Sequence, residues 1–352
     1  MQKTIQIKLL ANDEQEQIIK HTTKEYIQTV NDIVSDMVTF NEYGKLSSAK
    51  VKAQLPSAIR CQCVLDAKSI FKKYRKTKIE PILKKPVCIW NNQNYKISDN
   101  MISFPVLVEG KSKRINVKAL IPIEKLEMLQ NSKLGTLRIT YKNKKLMAQI
   151  AIVVVEQQNT NNNKMGIDLG LKCPAVCTTD TGKVKFIGNG RKNKYIRRYY
   201  KTKRKKLGKA KKIKAIKKLN NKEQRIMSDI DHKLSRQIVN FALQNKVKTI
   251  KMEQLANIRK TAKTSRKNEN NLHRWSFYRL AQYIEYKAKI VGISVEYINP
   301  AYTSQTCPAC GEIHKAKDRL YKCKCGYINH RDLVGAINIL TAPMISGNSL
   351  SA

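Results

Sequence analysis

The stretch from Gln157 to Lys164 reads Gln-Gln-Asn-Thr-Asn-Asn-Asn-Lys and holds no apolar residue. Such a run cannot join a core, so it divides the chain into two parts that must each bury a core of their own. Before it, short runs alternate apolar and polar residues: Tyr95–Ser98, Met101–Phe104, Arg114–Val117, Leu137–Tyr141 and Leu146–Val153. Turn residues separate them, the pattern of a small β-barrel or twisted sheet. The opening Thr4–Leu9 alternates in the same way and can pair into that sheet. Between them, from about Asp13 to Lys78, the period becomes helical. One stripe runs through Ile18, Ile19, Tyr26, Val30, Ile33, Val34 and Val38. A second runs through Ile59, Val64, Leu65, Ala67, Ile70, Phe71 and Tyr74, and Pro81 and Pro86 end the region. This predicts a strand at 1–12, a helical insertion at 13–80 and a β-barrel at 81–158.

After the polar stretch the order changes. Strands are expected at Met165–Leu171, Ala175–Thr179 and Lys183–Ile187, the last two joined across Asp180-Thr181-Gly182. A long helical region follows, then strand Thr249–Glu253, helix Arg274–Val291 and strand Ser294–Ile298. Three adjacent strands, then helix, strand and helix, are the order of a ribonuclease-H-like α/β core.

The chain of 352 residues carries 69 Lys+Arg against 26 Asp+Glu, a net charge of +43. Ordinary metabolic enzymes do not carry such self-repulsion, and a polyanionic partner relieves it. With 41% hydrophobic residues and long periodic segments, disorder throughout is excluded. No run of about 18 apolar residues occurs, and Met1-Gln2-Lys3-Thr4-Ile5 has no signal-peptide core. The expectation is a protein of the reducing prokaryotic cytoplasm, bound to DNA, whose nine cysteines form no disulfides.

From Arg191 to Lys218, 16 of 28 residues are Lys or Arg and none is acidic. Leu207, Ala210, Ile213, Ile216 and Leu219 lay a helical stripe through it. Like charges at i,i+4 destabilise a helix, and phosphate contact removes that penalty while releasing counterions. Arg191, Arg197, Arg198, Lys201, Lys203, Arg204, Lys205 and Lys206 are therefore the candidate nucleic-acid contacts. Tyr195, Tyr199 and Tyr200 are available to stack on bases or to pack.

Cys307-Pro-Ala-Cys310-Gly and Cys323-Lys-Cys325-Gly stand twelve residues apart. Two cysteine pairs a hairpin apart suit a tetrahedral zinc site with four thiolates, and the glycine after each pair lets the backbone turn back toward the metal. His314 or His330 is an alternative to Cys323, because the second pair is the tighter Cys-x-Cys. The ribbon is compatible with a structural role or with holding nucleic acid. Cys61, Cys63, Cys88, Cys173 and Cys177 lack ligand spacing and read as small buried hydrophobes.

Three carboxylates stand out in a chain poor in acids. Asp168 interrupts an apolar strand between Gly166 and Gly170; Glu253 ends a strand; Asp332 opens the apolar helix Leu333–Ile339. A carboxylate in an apolar strand is costly unless a metal or partner neutralises it. Alone, Asp332 reads as a helix cap and Glu253 as a surface residue. Together, three carboxylates from separate elements could hold two divalent ions about 3.5–4 Å apart, the arrangement of metal-assisted phosphodiester hydrolysis, with Mg²⁺ or Mn²⁺ the suited ions. His232 reads as a phosphate contact or packing residue, His273 as a cap or packing residue, and Trp275, Phe277 and Tyr278 as core.

The segments Gly166–Gly170, Ile250–Leu255, Tyr302–Gly311 and Arg331–Ile339, with Asp231–Ser235 and Trp275–Gly292, resemble the TnpB (OrfB) family of transposon-encoded RNA-guided endonucleases, ancestors of the type V CRISPR effectors. The resemblance covers essentially Lys164 to Ile339; the N-terminal part agrees in layout only. It implies a RuvC nuclease domain at 164–340 with Asp168, Glu253 and Asp332 as the metal-binding catalytic triad. It implies a zinc ribbon inserted at 303–329, held by Cys307, Cys310, Cys323 and Cys325, and a flexible tail at 341–352. The N-terminal part becomes a wedge β-barrel interrupted by a helical recognition domain. A monomer holding one guide RNA from the transposon end would cut complementary double-stranded DNA beside a short motif, the protein reading that motif and the heteroduplex shape. A miniature type V CRISPR effector, a nuclease-inactive guided repressor and an RNA-independent zinc-ribbon DNA binder are the competing readings. His330 departs from the family, which often has an acid two positions before the third catalytic Asp.

Overall fold

A computed structural model describes residues 1–41, 46–142, 145–255, 277–316 and 318–344. Two compact units result, Met1–Val155 and Glu156–Ala352.

In the first unit, β1 (Gln2–Leu10) leads into α1 (Asp13–Thr39), and α2 (Ser57–Thr77) follows. Then come β2 (Val87–Trp90), β3 (Lys96–Ser98), β4 (Met101–Val108), β5 (Lys111–Leu120), α3 (Ile123–Gln130), β6 (Lys133–Lys142) and β7 (Lys145–Val153). The seven strands form one antiparallel sheet in the order β2-β6-β7-β1-β5-β4-β3, an open half-barrel with β2 and β3 as edges. Strand β1 sits inside it, paired with β7 from Gln2↔Val153 to Lys8↔Met147 and with β5 at Lys8↔Leu120. Asn12 starts α1 with a capping box, its side chain accepting from the Gln15 amide while the Gln15 side chain accepts from the Asn12 amide. The core is closed by Tyr26, Phe71, Trp90 and Phe104, all fully buried. The Trp90 indole donates to the Pro105 carbonyl at 2.8 Å. Two expectations fail here. Leu65 of the α2 stripe is exposed, because the buried face of that helix runs through Ile59, Cys63, Val64, Ala67 and Phe71. Cys61 is exposed as well, on the opposite side from Cys63.

The second unit carries β8 (Asn163–Asp168), β9 (Ala175–Thr179) and β10 (Val184–Ile187), then α4 (Gly190–Lys209), α5 (Ile213–Leu219) and α6 (Lys222–Gln244). It continues with β11 (Val247–Glu253), α7 (Phe277–Ile290), β12 (Ser294–Ile298), β13 (Leu320–Lys322), β14 (Ile328–His330) and α8 (Arg331–Thr341). Five strands form a mixed sheet, β10-β9-β8-β11-β12, in which β8, β11 and β12 are parallel. One face, through Met165, Ile167, Cys177, Ile250 and Met252, packs on Ile238, Ala242, Leu280 and Ile284 of α6 and α7. Helix α8 covers the other face over β8, β9 and β11. This is the ribonuclease-H-like arrangement expected from the element order. The hairpin β13–β14 supports the cysteine knuckles.

The basic run is two helices rather than one. Lys211 takes a left-handed backbone, φ 51°, and α4 ends at Lys209. The apolar stripe through Leu207 and Ile213 is therefore interrupted, and Ile213 is exposed. No described helix is long and apolar enough to cross a membrane.

Candidate functional site

Strand register places the first two carboxylates. Parallel β8 and β11 pair Gly166↔Lys251 and Ile167↔Met252, so Asp168 and Glu253 come next on neighbouring strands and share one face. That face is the one under α8. Gly166, two residues back on β8, admits α8 at close range: a Cβ there would strike the Ala336 carbonyl and lie 2.7 Å from the Leu340 amide nitrogen. Gly335 does the same for Asp168, since a Cβ on it would lie 3.2 Å from Asp168 Oδ2. Asp332 enters from the first turn of α8, where His330 caps the helix by accepting from the Asp332 amide at 3.2 Å. The helix cap is His330, and Asp332 is left to face the carboxylates.

The three acids feel one another. Burial raises the Asp168 carboxyl well above the usual range, and the charges of Glu253 and Asp332 add to it, against Arg319 and Arg331. Burial also raises Glu253, partly offset by the Thr303 hydroxyl, which donates to it. Asp332 is buried and ion-paired with Arg319. Among the described residues, the His, Cys, Asp or Glu groups of three or more with ligand atoms all within 4.8 Å are the four cysteines and Glu312–His314–Cys323. The carboxylates are thus neighbours in a wider arrangement, with a guanidinium already on one of them. Their donor set suits a hard divalent cation, because the charges of Glu253 and Asp332 act on Asp168 and a cation among them would relieve that repulsion.

The cysteines converge. Cys307 and Cys325 Sγ are 3.7 Å apart, Cys310 and Cys323 Sγ 3.5 Å. Gly311 and Gly326, at φ 75° and 91°, make the left-handed turns that bring each pair around. Burial pulls the Cys307 thiol up, but the Cys310 and Ala309 amides and the neighbouring thiols outweigh it and bring it down to about 7. The Glu312 amide pulls Cys310 down, but burial and the same neighbours push it up to about 12. Four sulfurs sharing protons in this way fit a tetrahedral soft-ligand metal such as zinc. The four sulfurs meet without a histidine; His314 pairs with Glu312 close to Cys323, and His330 caps α8.

Of the candidate nucleic-acid contacts, Arg191, Arg198, Lys201, Lys203, Arg204, Lys205 and Lys206 are exposed along α4, and Arg197 is half-buried. Arg204 pairs with Glu223. Tyr200 is buried, whereas Tyr195 and Tyr199 stay exposed and stack with centroids 6.5 Å apart. His232 lies flat on Tyr283 at 4.0 Å, a packing contact. Phe277 is core, Tyr278 is exposed, and His273 and Trp275 lie outside the described residues. Arg319 and Phe186 were missed by sequence reasoning; only tertiary proximity singles them out.

Two family models match the chain, "Probable transposase" over residues 139–259 and "Cas12f1-like, TNB domain" over 277–339. The TnpB-like protein MJ0751 of Methanocaldococcus jannaschii is 40% identical over 127 residues, which cover 35% of this chain and 45% of that protein. The CRISPR-associated endodeoxyribonuclease Cas12f1 of Sulfoacidibacillus thermotolerans is 38% identical over 136 residues, 38% of this chain and 31% of that one. The matched region thus spans under half the length of these curated relatives. A Cas12f1 solved with sgRNA and target DNA shares the fold, with TM-score 0.68 at 18% identity, over 92% of this chain and 81% of that one.

Proposed function

Because the chain belongs to the TnpB (OrfB) family, we propose that it is an RNA-guided, divalent-metal-dependent DNA endonuclease of an insertion sequence. Its guide would be an RNA from the transposon end, and it would cut complementary DNA beside a short motif. The observation that carries this reading is the strand register that sets Asp168 beside Glu253 under the helix bearing Asp332. Asp168, Glu253 and Asp332 would hold Mg²⁺ or Mn²⁺, which when bound supplies an activated water and charge stabilisation at the scissile phosphate. Thr303 fixes the Glu253 carboxylate by its hydrogen bond, and His330 fixes the turn from which Asp332 projects. Arg319, paired with Asp332, brings a positive charge to the position where the phosphate must sit. Cys307, Cys310, Cys323 and Cys325 would hold zinc and so keep the ribbon carrying Arg319 folded. The exposed basic face of α4 would neutralise nucleic-acid phosphates.

The test is expression with native flanking DNA, sequencing of the RNA that co-purifies, and cleavage of a plasmid library with randomised flanks, with and without Asp168→Ala. A discrete RNA with Mg²⁺-dependent cleavage lost in the variant is expected. Guided binding without cleavage would make the protein a repressor, and absence of a discrete RNA would refute guidance.

A further inference from the structure

One exposed aromatic lies in line with the carboxylates. Antiparallel pairing sets Asp168 opposite Val176 and Val176 opposite Phe186. Directly paired residues project from the same face, so Glu253, Asp168, Val176 and Phe186 form one row across β11, β8, β9 and β10. Helix α8 packs over β8, β9 and β11, and at the end of the row the Phe186 ring is 48% exposed. Val184, on the same face of the edge strand, is exposed beside it. Single exposed apolar residues are common and need no explanation. This one is held in place: the His330 ring meets it edge-on, centroids 5.1 Å apart at 89°. His330 is also the cap that accepts from the Asp332 amide. One histidine thus anchors both the aromatic and the turn of the third carboxylate.

The surroundings are cationic. Arg319 pairs with Asp332, and Arg331 opens α8 directly after His330. A flat aromatic face among cations, beside a carboxylate site, is what an unpaired base and its phosphates recognise. Two inter-strand steps of about 4.8 Å separate the Phe186 and Asp168 backbones, about 10 Å in all. At about 3.4 Å per stacked nucleotide, that is about three nucleotides, and fewer in an extended strand.

We propose that Phe186 is a substrate-positioning residue: it stacks on an unpaired base of the strand being cut, within about three nucleotides of the scissile phosphate. The inference rests on the proposed nuclease reading and adds a positioning residue to that site.

The test uses the full chain with its co-purified RNA and a single-stranded DNA complementary to the guide of that RNA, extended by twelve thymidines of which one is 5-iododeoxyuridine, with Ca²⁺ in place of Mg²⁺ so that cutting does not intervene. Irradiation should cross-link the base to Phe186, located by mass spectrometry of the peptide. Phe186→Leu should abolish that adduct and lower Mg²⁺-dependent cutting of the same oligonucleotide about tenfold at unchanged melting temperature, and Phe186→Trp should restore both. Cross-links confined to other residues, or Phe186→Leu cutting as fast as wild type, would overturn the proposal and leave the nuclease intact. A Phe186 adduct in a protein that cuts nothing would uphold the stacking post and refute the nuclease reading. A protein partner of Phe186 in place of DNA would show as absence of any adduct there, which also overturns it.

Discussion

Gly166→Ala tests the placement of the carboxylates without touching any of them. The new methyl would meet the Ala336 carbonyl and stand 2.7 Å from the Leu340 amide and 2.9 Å from Leu340 Cβ. Two of these are backbone atoms of α8, so no side chain can step aside. Ordinary contact begins at 3.4 Å, so β8 and α8 must part by about 0.7 Å or more. Asp168 lies two residues along β8 and Asp332 on the first turn of α8, so the same parting opens the site. Overpacking of this kind costs about 1–3 kcal/mol, and rigid backbone on one side puts this case near 3. For a unit of this size that lowers melting by about 6–12 °C. A displacement near 1 Å at a catalytic group costs about 100-fold in rate. The assay pairs a thermal melt with initial rates of Mg²⁺-dependent cleavage at a temperature well below the variant's midpoint. Gly208→Ala, which would meet nothing within 4 Å, controls for the glycine change itself and should raise melting slightly. Cleavage within threefold of wild type together with a melt shift under 2 °C would refute the close approach of α8 to β8 as the device that sets the carboxylates.

Asp168→Asn should raise the melting temperature of the metal-free protein at pH 8, by about 2–4 °C if about 1 kcal/mol of ionic penalty is relieved. The sign follows from the raised Asp168 pKa. Unfolded Asp168 ionises first, so stability falls as pH rises from the unfolded to the folded pKa and stays low above it. The two proteins should converge below pH 4, and a variant that melts lower than wild type at pH 8 would refute this. Purified wild type should contain one zinc per chain by mass spectrometry, and Cys310→Ser should lose it and melt lower. Zinc affinity should climb as pH rises through about 7, where the Cys307 thiol ionises; affinity flat from pH 6 to 8 would refute that.

Much of the second unit could be read from the chain because its strands are short runs rich in Val, Ile and Met. The cysteine knuckles could be read because ligand spacing is local. The relation among Asp168, Glu253 and Asp332 is not local: 85 and 79 residues separate them, and register alone brings Asp168 and Glu253 side by side. Arg319 gives no signal in a chain where basic residues are everywhere, and its ion pair with Asp332 exists only once the ribbon folds back. The break at Lys211 escaped for a different reason. The apolar spacing of three continues across it, while a left-handed backbone at a lysine has no sequence mark. Leu65 and Cys61 were misplaced because α2 buries a narrower face than its apolar content suggests.

The position of β1 has a consequence for the ribosome. Gln2 pairs with Val153, so the first strand made waits for a partner about 150 residues behind it. At about 5–20 residues per second, β5 follows about 110 residues later, after about 5–22 s, and β7 after about 7–30 s, and until then the strand through Ile5, Ile7 and Leu9 has no neighbour in the sheet. Lys8 alternates with those residues and Lys3 precedes them on the strand, and charge there opposes pairing with another nascent chain. The half-barrel therefore closes late in translation, and the α1–α2 pair has ample time to fold before the sheet that will cover it exists.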